Sequence, residues 1–401
     1  MRKKILIIGS ICLVVCLVIG LIIVNFTAVV KKKDGGKVIF VMHDKIDNIT
    51  LIPLRIANLI IPPPKLANKK PEERKRIVIN YLKEMVEAEK RWQLSKRLEI
   101  SNRILKMGNI VVPTLIEIFR DTSQPFMVRY EADTILEDAL RCKNKAPDEL
   151  EWMYKEFYEL AQKIDMESAV PILIEVACNK NEDNRSRGDA LSILGKIKDK
   201  RAVEPLIRLA DEEGIGMRAL GEIGDERAIP VLIKVMEADK GKVYPKGITP
   251  RRELCIEALG RIGGKQSIEV LMNLFKENPK DRVVINALGD AKAKEAVPML
   301  IDMLEREKNH FVRASIIISL GKIKDKRAVE PLINLARKRF SPPPPEGYDG
   351  EVIEALGEIG DERAVEILEE LLQREGKGEI MRKYLIKALK KITGKEYKYR
   401  R

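Results

Sequence analysis

The chain has 401 residues, 74 Lys and Arg against 61 Asp and Glu, and a formal net charge of +13. Five cysteines exclude a disulfide scaffold, and two histidines, His43 and His310, leave little room for His-based metal or triad chemistry. Hydrophobic residues at 45% exclude wholesale disorder, and scarce Gln beside abundant Lys, Arg and Glu is a balance common in thermophile proteins.

The N-terminal region, 1–33, carries Arg2, Lys3, Lys4, Lys31, Lys32 and Lys33 and no acid. Between them Ile5–Val30 is free of charge over 26 residues, or ~39 Å as a helix against a hydrocarbon core of ~30 Å. This predicts an uncleaved transmembrane helix, with the lipid bilayer as a partner. The run is long for a signal peptide, and Asn25, Phe26 and Thr27 make a poor cleavage site. Basic residues flank both ends, so orientation rests on the short charged N-terminus, which favours an extracytoplasmic large domain. Sequons at Asn48 and Asn184 would then be accessible.

Residues 34–80 form a juxtamembrane segment of unassigned fold, with a short strand expected at Lys37–Met42 and a spacer at Pro62–Pro64. Pro71–Met107 reads as helix ending at Gly108. Within 81–165, Ile104–Phe119 and Phe126–Leu140 read as diverged helical repeats.

The region 166–401 repeats itself. Leu194–Ala210 and Leu320–Ala336 differ only at Arg208 against Asn334. A Leu-Gly step recurs at Gly195, Gly221, Gly260, Gly289, Gly321 and Gly357, and Lys390 takes the Gly place in the last copy. Seven places on stand Ala202, Ala228, Ser267, Ala296, Ala328 and Ala364. In the following stretch Val203, Leu206, Ile207 and Ala210 share one helical face, with Pro205 in the first turn. The Leu residues are expected to be buried. The Gly is read as relaxing the end of the second helix, and Asp225 and Asp361 as caps of the next one. One helix pair cannot bury its apolar face alone, whereas a stack of pairs can.

These residues resemble HEAT repeats, in particular the short phycobilisome-lyase-type HEAT-like repeat with its ALGxIGDxRAVxPLI core. The resemblance is tight from about Ala169 to Lys395. It implies an all-α fold, a right-handed α-solenoid of HEAT-like helix pairs, here behind one N-terminal transmembrane helix.

An Arg lies eight places before the Gly position at Arg187, Arg252, Arg313 and Arg382, while Arg282 is one place off. The row is read as an inter-repeat ladder, against a basic row for an acidic partner. Gly214–Ala219 matches GxGxxA but follows a helix, so its glycines are read as a tight turn and not a nucleotide site. Gly260–Gln266 fails the P-loop spacing. Cys142, Cys178 and Cys255 read as structural thiols, and His310 as a turn residue. Two insertions, Gly241–Pro250 and Ser341–Gly350, interrupt units between their first and second helices. Each carries a tyrosine, Tyr244 or Tyr348, amid Pro and Gly, and these are the candidate partner-binding residues. The basic tail Lys395–Arg401 reads as a frayed end.

The resulting reading is a membrane-anchored scaffold that binds a protein partner and is not an enzyme. No catalytic residue, metal or cofactor is expected, nor a small-molecule or nucleic-acid partner. The alternative implied by the resemblance is a bilin lyase or lyase-accessory enzyme. A membrane-tethered nucleic-acid binder is a third reading, opposed by the modest charge of +7 beyond residue 33.

Overall fold

The computed structural model describes residues 69–91, 93–144, 155–242, 250–339, 349–373 and 379–397. All the regular structure among them is helical. They fall into two compact units. One comprises the described residues up to Ile118, with 123–135 and 155–164; the other comprises 119–122, 136–144 and those from Asp165 onward.

In the first unit, α1 (Pro71–Lys90) begins with proline in its first turn and acids Glu72 and Glu73 beside it, where neither loses a backbone bond nor opposes the helix dipole. Val78, Leu82 and Met85 line its buried face. The helix expected to run from Pro71 to Met107 is in fact two. It stops at Arg91, and α2 (Leu94–Leu105) folds back onto α1. Then come α3 (Val111–Arg120) and α4 (Phe126–Asn144), whose last residues count with the second unit, and α5 (Lys155–Lys163), which packs on α2.

The second unit is a stack of helix pairs. The first helices are α6 (Val170–Cys178), α8 (Val203–Glu213), α10 (Ile229–Ala238), α12 (Gly264–Glu277), α14 (Val297–Arg306), α16 (Val329–Arg339) and α18 (Val365–Gln373). The second helices are α7 (Asn184–Ile197), α9 (Met217–Ile223), α11 (Arg251–Ile262), α13 (Arg282–Asp290), α15 (His310–Ile323), α17 (Asp349–Ile359) and α19 (Glu379–Thr393). Each second helix packs on the next, from α7 through α19. The recurring leucines, Leu194, Leu220, Leu259, Leu288, Leu320 and Leu356, are all buried.

The recurring glycine does something other than end a helix. Gly195, Gly221, Gly260, Gly289, Gly321 and Gly357 all lie inside their helices. A Cβ on Gly221 or Gly260 would come within 2.7 Å of the Cα of Ala258 or Ala287 on the next second helix. Gly289 meets Ser319 at 2.8 Å, Gly321 meets Ala355 at 2.8 Å and Gly357 meets Ala388 at 2.9 Å, again at Cα. Backbones so close leave no space for a side chain, so the glycine is set by its neighbour in space.

The single-pass membrane expectation is corrected. Among the described residues no helix is long and apolar enough to cross a membrane. Ile5–Val30, on which that expectation rested, lies outside the described residues, as does the strand expected at Lys37–Met42. The outward orientation falls with it, while the lipid partner was expected through Ile5–Val30, outside the described residues. His310 is also corrected, from a turn residue to the first residue of α15.

Candidate functional site

Two ladders of side chains tie the units of the stack together. The first is built on the turn before each first helix. Asp199, Asp225, Asp325 and Asp361 each accept the backbone N–H of the arginine two places on, capping a short 3-10 turn. That arginine also returns its guanidinium to the same carboxylate, with Nε–Oδ1 distances of 3.0 Å at Arg201 and 2.9 Å at Arg227. Its other end reaches the preceding unit. Arg201 donates to the Glu167 carbonyl at 2.9 Å, Arg327 to that of Lys294 at 2.9 Å and Arg363 to that of Lys326 at 3.1 Å. Arg227 takes the Glu204 carboxylate instead, at 3.1 Å. The arginine hydrogen bonds hold Asp225, Asp325 and Asp361 down to a pKa of about 2. The sequence reading found the caps but not this arginine; the signal was its recurrence two places after each aspartate.

The second ladder runs along the second helices, one place after the glycine. The residues there are Lys196, Glu222, Arg261, Asp290, Lys322, Glu358 and Lys391, whose signs alternate throughout. Arg261 pairs with Glu222 at 3.5 Å and Lys322 with Asp290 at 2.6 Å; Lys391 pairs with Glu358, and Lys196 with Glu137. This face is therefore neutralised unit by unit and does not form a basic track.

The arginine row lies near the starts of the second helices. Arg187 is 8% exposed, donates to the Ala177 carbonyl at 3.0 Å and pairs with Glu213 of the following unit at 2.8 Å. Arg252 approaches Asp281 of the following unit at 3.6 Å. Arg313 and Arg382 are half-buried. Arg282, one place out of register, follows a different course: its Nε donates to Ser315 at 3.3 Å and its guanidinium lies over Phe311 at 5.3 Å.

Tyr244 and Tyr348 lie outside the described residues. The stems of the first insertion are tied: Asp239, before it, accepts the Arg252 backbone N–H, after it, at 3.1 Å. Gly214 and Gly216 take φ of +63° and +87° between α8 and α9, the tight turn their sequence predicts. Cys142 and Cys255 are buried, and burial pushes the Cys255 thiol up to about 12, which makes it a poor nucleophile. No group of three metal-ligating side chains occurs among the described residues.

The first unit holds a buried charge cluster around Glu131 that the sequence did not reveal. Glu131 on α4 is fully buried and meets Arg97 of α2 at 2.9 Å. Burial and then a hydrogen bond with Glu89 raise its carboxyl, against the pull of Arg97.

Helix pairs stacked through backbone-close contacts and cross-unit ladders define an α-solenoid repeat protein. Across residues 186–374 the chain carries HEAT repeats, with repeats of the PBS lyase HEAT-like type among them. The HEAT repeats model matches residues 279–342, and the PBS lyase HEAT-like repeat model matches 186–212, 216–238, 252–277 and 350–374.

A bilin biosynthesis protein, PecE of Nostoc sp., is 43% identical over 65 residues, which is 16% of this chain and 26% of that protein. The match thus spans about a quarter of the relative's length. The solved complex of CpcE and CpcF of phycocyanin lyase from Nostoc sp. aligns over 70% of this chain and 94% of that one, at 16% identity and a TM-score of 0.41. Importin beta aligns over 87% of this chain and 54% of its own, at 13% identity and a TM-score of 0.35.

Proposed function

We propose that this chain is a scaffold of the lyase-accessory kind, a right-handed stack that holds a protein partner in place for chemistry done with it. The observation that carries this reading is the row of glycine-to-alanine contacts between second helices. Backbones held that close give a long surface that needs little ordering on binding. The PBS lyase-type repeats favour this over a general-purpose scaffold. Arg187, Arg252, Arg313 and Arg382 are read as ties between units, supported by the cross-unit bonds of the first two. The tyrosines of the two insertions are read as partner contacts, since both insertions stand at the same place in their repeats, between a first helix and a second.

A second reading, bilin lyase, is favoured by the local identity to PecE. A bilin is a linear tetrapyrrole that carries carboxylates and is joined to a thiol. Burial raises the thiols of Cys142, Cys178 and Cys255 above their ordinary value, so in this reading the acceptor thiol is assigned to a partner.

One pair of measurements separates the two. The purified chain is titrated with biliverdin while visible absorption is recorded, and native-source crosslinking identifies the bound protein. A saturable spectral shift supports the lyase reading. An unchanged spectrum with one reproducible protein partner supports the scaffold alone. No crosslinked partner and no shift rejects both.

A further inference from the structure

The arginine that breaks register is the one turned toward solvent. In the unit of α13 the place eight before the glycine holds Asp281, not arginine. Asp281 caps α13 by accepting from Val283 and Val284, and it is approached by Arg252. Arg282 is left out of the seam. It is exposed, its Nε is anchored on the buried Ser315 hydroxyl of α15, and its Cζ lies over the Phe311 ring, 5.3 Å from the centroid. Phe311 is itself 52% exposed, and His310 lies against it with ring centroids 4.0 Å apart.

Two contacts from α15 thus fix a guanidinium whose Nη atoms make no hydrogen bond among the described residues. A guanidinium held at Nε and over a ring is a ready-made fork for a carboxylate.

The surrounding acids are already engaged. Glu307 takes the Asn309 N–H at 2.8 Å and Lys280 at 3.1 Å, and Asp281 has its cap and Arg252. Arg282 and the exposed Lys308 are the cations of this corner without a carboxylate among the described residues. In the sequence the corner falls between the two tyrosine-bearing insertions.

We infer that Arg282, Phe311 and Lys308 form a docking corner for an acidic segment of a protein partner, the Arg282 fork taking a carboxylate and Phe311 packing on the adjoining side chain. This rests on the scaffold reading for its partner.

The test uses the full chain and fluorescein-labelled hexaglutamate, read by anisotropy at about 50 mM salt, where surface charges are weakly screened. Arg282→Gln should weaken binding about tenfold, the scale of one charged hydrogen-bonded contact. Phe311→Ala should weaken it several-fold. The distant exposed Lys265→Gln should leave it unchanged. Arg282→Lys keeps the charge but not the fork, so it should also weaken binding, and it carries the test if Arg282→Gln lowers the melting temperature.

Unchanged binding by both Arg282 variants overturns the inference. So does an equal loss in Lys265→Gln, which would mean diffuse attraction by net charge. Displacement by tripolyphosphate at lower concentration than by unlabelled hexaglutamate would assign the corner to phosphate and overturn it as well. Each of these results removes the corner and leaves the scaffold reading to its own crosslinking test.

Discussion

Gly260 faces Ala287 across adjacent second helices so closely that a Cβ on the glycine would lie 2.7 Å from the alanine Cα and 2.8 Å from its carbonyl oxygen. Both obstacles are backbone, so relief requires the helices to part. Gly260→Ala is expected to destabilise the chain by at least the ~1–3 kcal/mol typical of overpacking. Gly188, in the middle of α7, has nothing within 4 Å of its would-be Cβ. Gly188→Ala should therefore stabilise by roughly 0.5–1 kcal/mol through helix propensity. Thermal melts of the two variants should move in opposite directions.

Leu288, one place before Gly289, is fully buried between the helices. Leu288→Ala should cost about 2–5 kcal/mol through lost burial and the cavity left behind. Urea unfolding measures this, and a loss under ~0.5 kcal/mol would contradict the packing described here.

The capping aspartates set the acid limb of stability. Asp225, Asp325 and Asp361 are held at about 2 when folded, below an unfolded value of ~3.9. Their contribution is complete above about pH 4 and is lost as pH falls toward 2, because the unfolded chain binds protons first. Asp325→Asn should flatten that limb. Urea midpoints at about pH 5 and pH 3 should differ less in the variant than in the wild type.

Glu131 acts in the other direction. Its folded pKa is raised to about 7 by burial, above an unfolded value of ~4.3. The neutral carboxyl is the form the fold tolerates, so the contribution of Glu131 is full below about pH 4 and is lost as pH rises through 7. Glu131→Gln should remove that decline, with melting temperatures at about pH 5.5 and pH 8 closer together than in the wild type.

Much of the second unit was legible because each copy repeats the same local physics. The i, i+3, i+4, i+7 spacing from Val203 to Ala210 placed the first helix, and Pro205 placed its first turn. The Asp225 and Asp361 caps were readable because a side-chain oxygen reaches only the N–H groups just ahead of it. The break between α1 and α2 was missed, since Arg91–Gln93 contains neither proline nor glycine. The cross-unit bond of Arg363 to the Lys326 carbonyl was missed too, because its acceptor lies 37 residues away.

The sequence alone determined that the chain is a stack of helix pairs, since amphipathic helices that cannot bury themselves singly must stack. It also determined which leucines are buried. Tertiary structure decided why the glycines are there. Gly221, Gly260 and Gly357 are answers to Ala258, Ala287 and Ala388 in the next unit, a constraint that exists only when two backbones approach. It likewise decided which arginine faces outward, because Arg252 found Asp281 and left Arg282 to Phe311. Spacing places a charge on a helix, but its partner is chosen by whatever the neighbouring helix brings within reach.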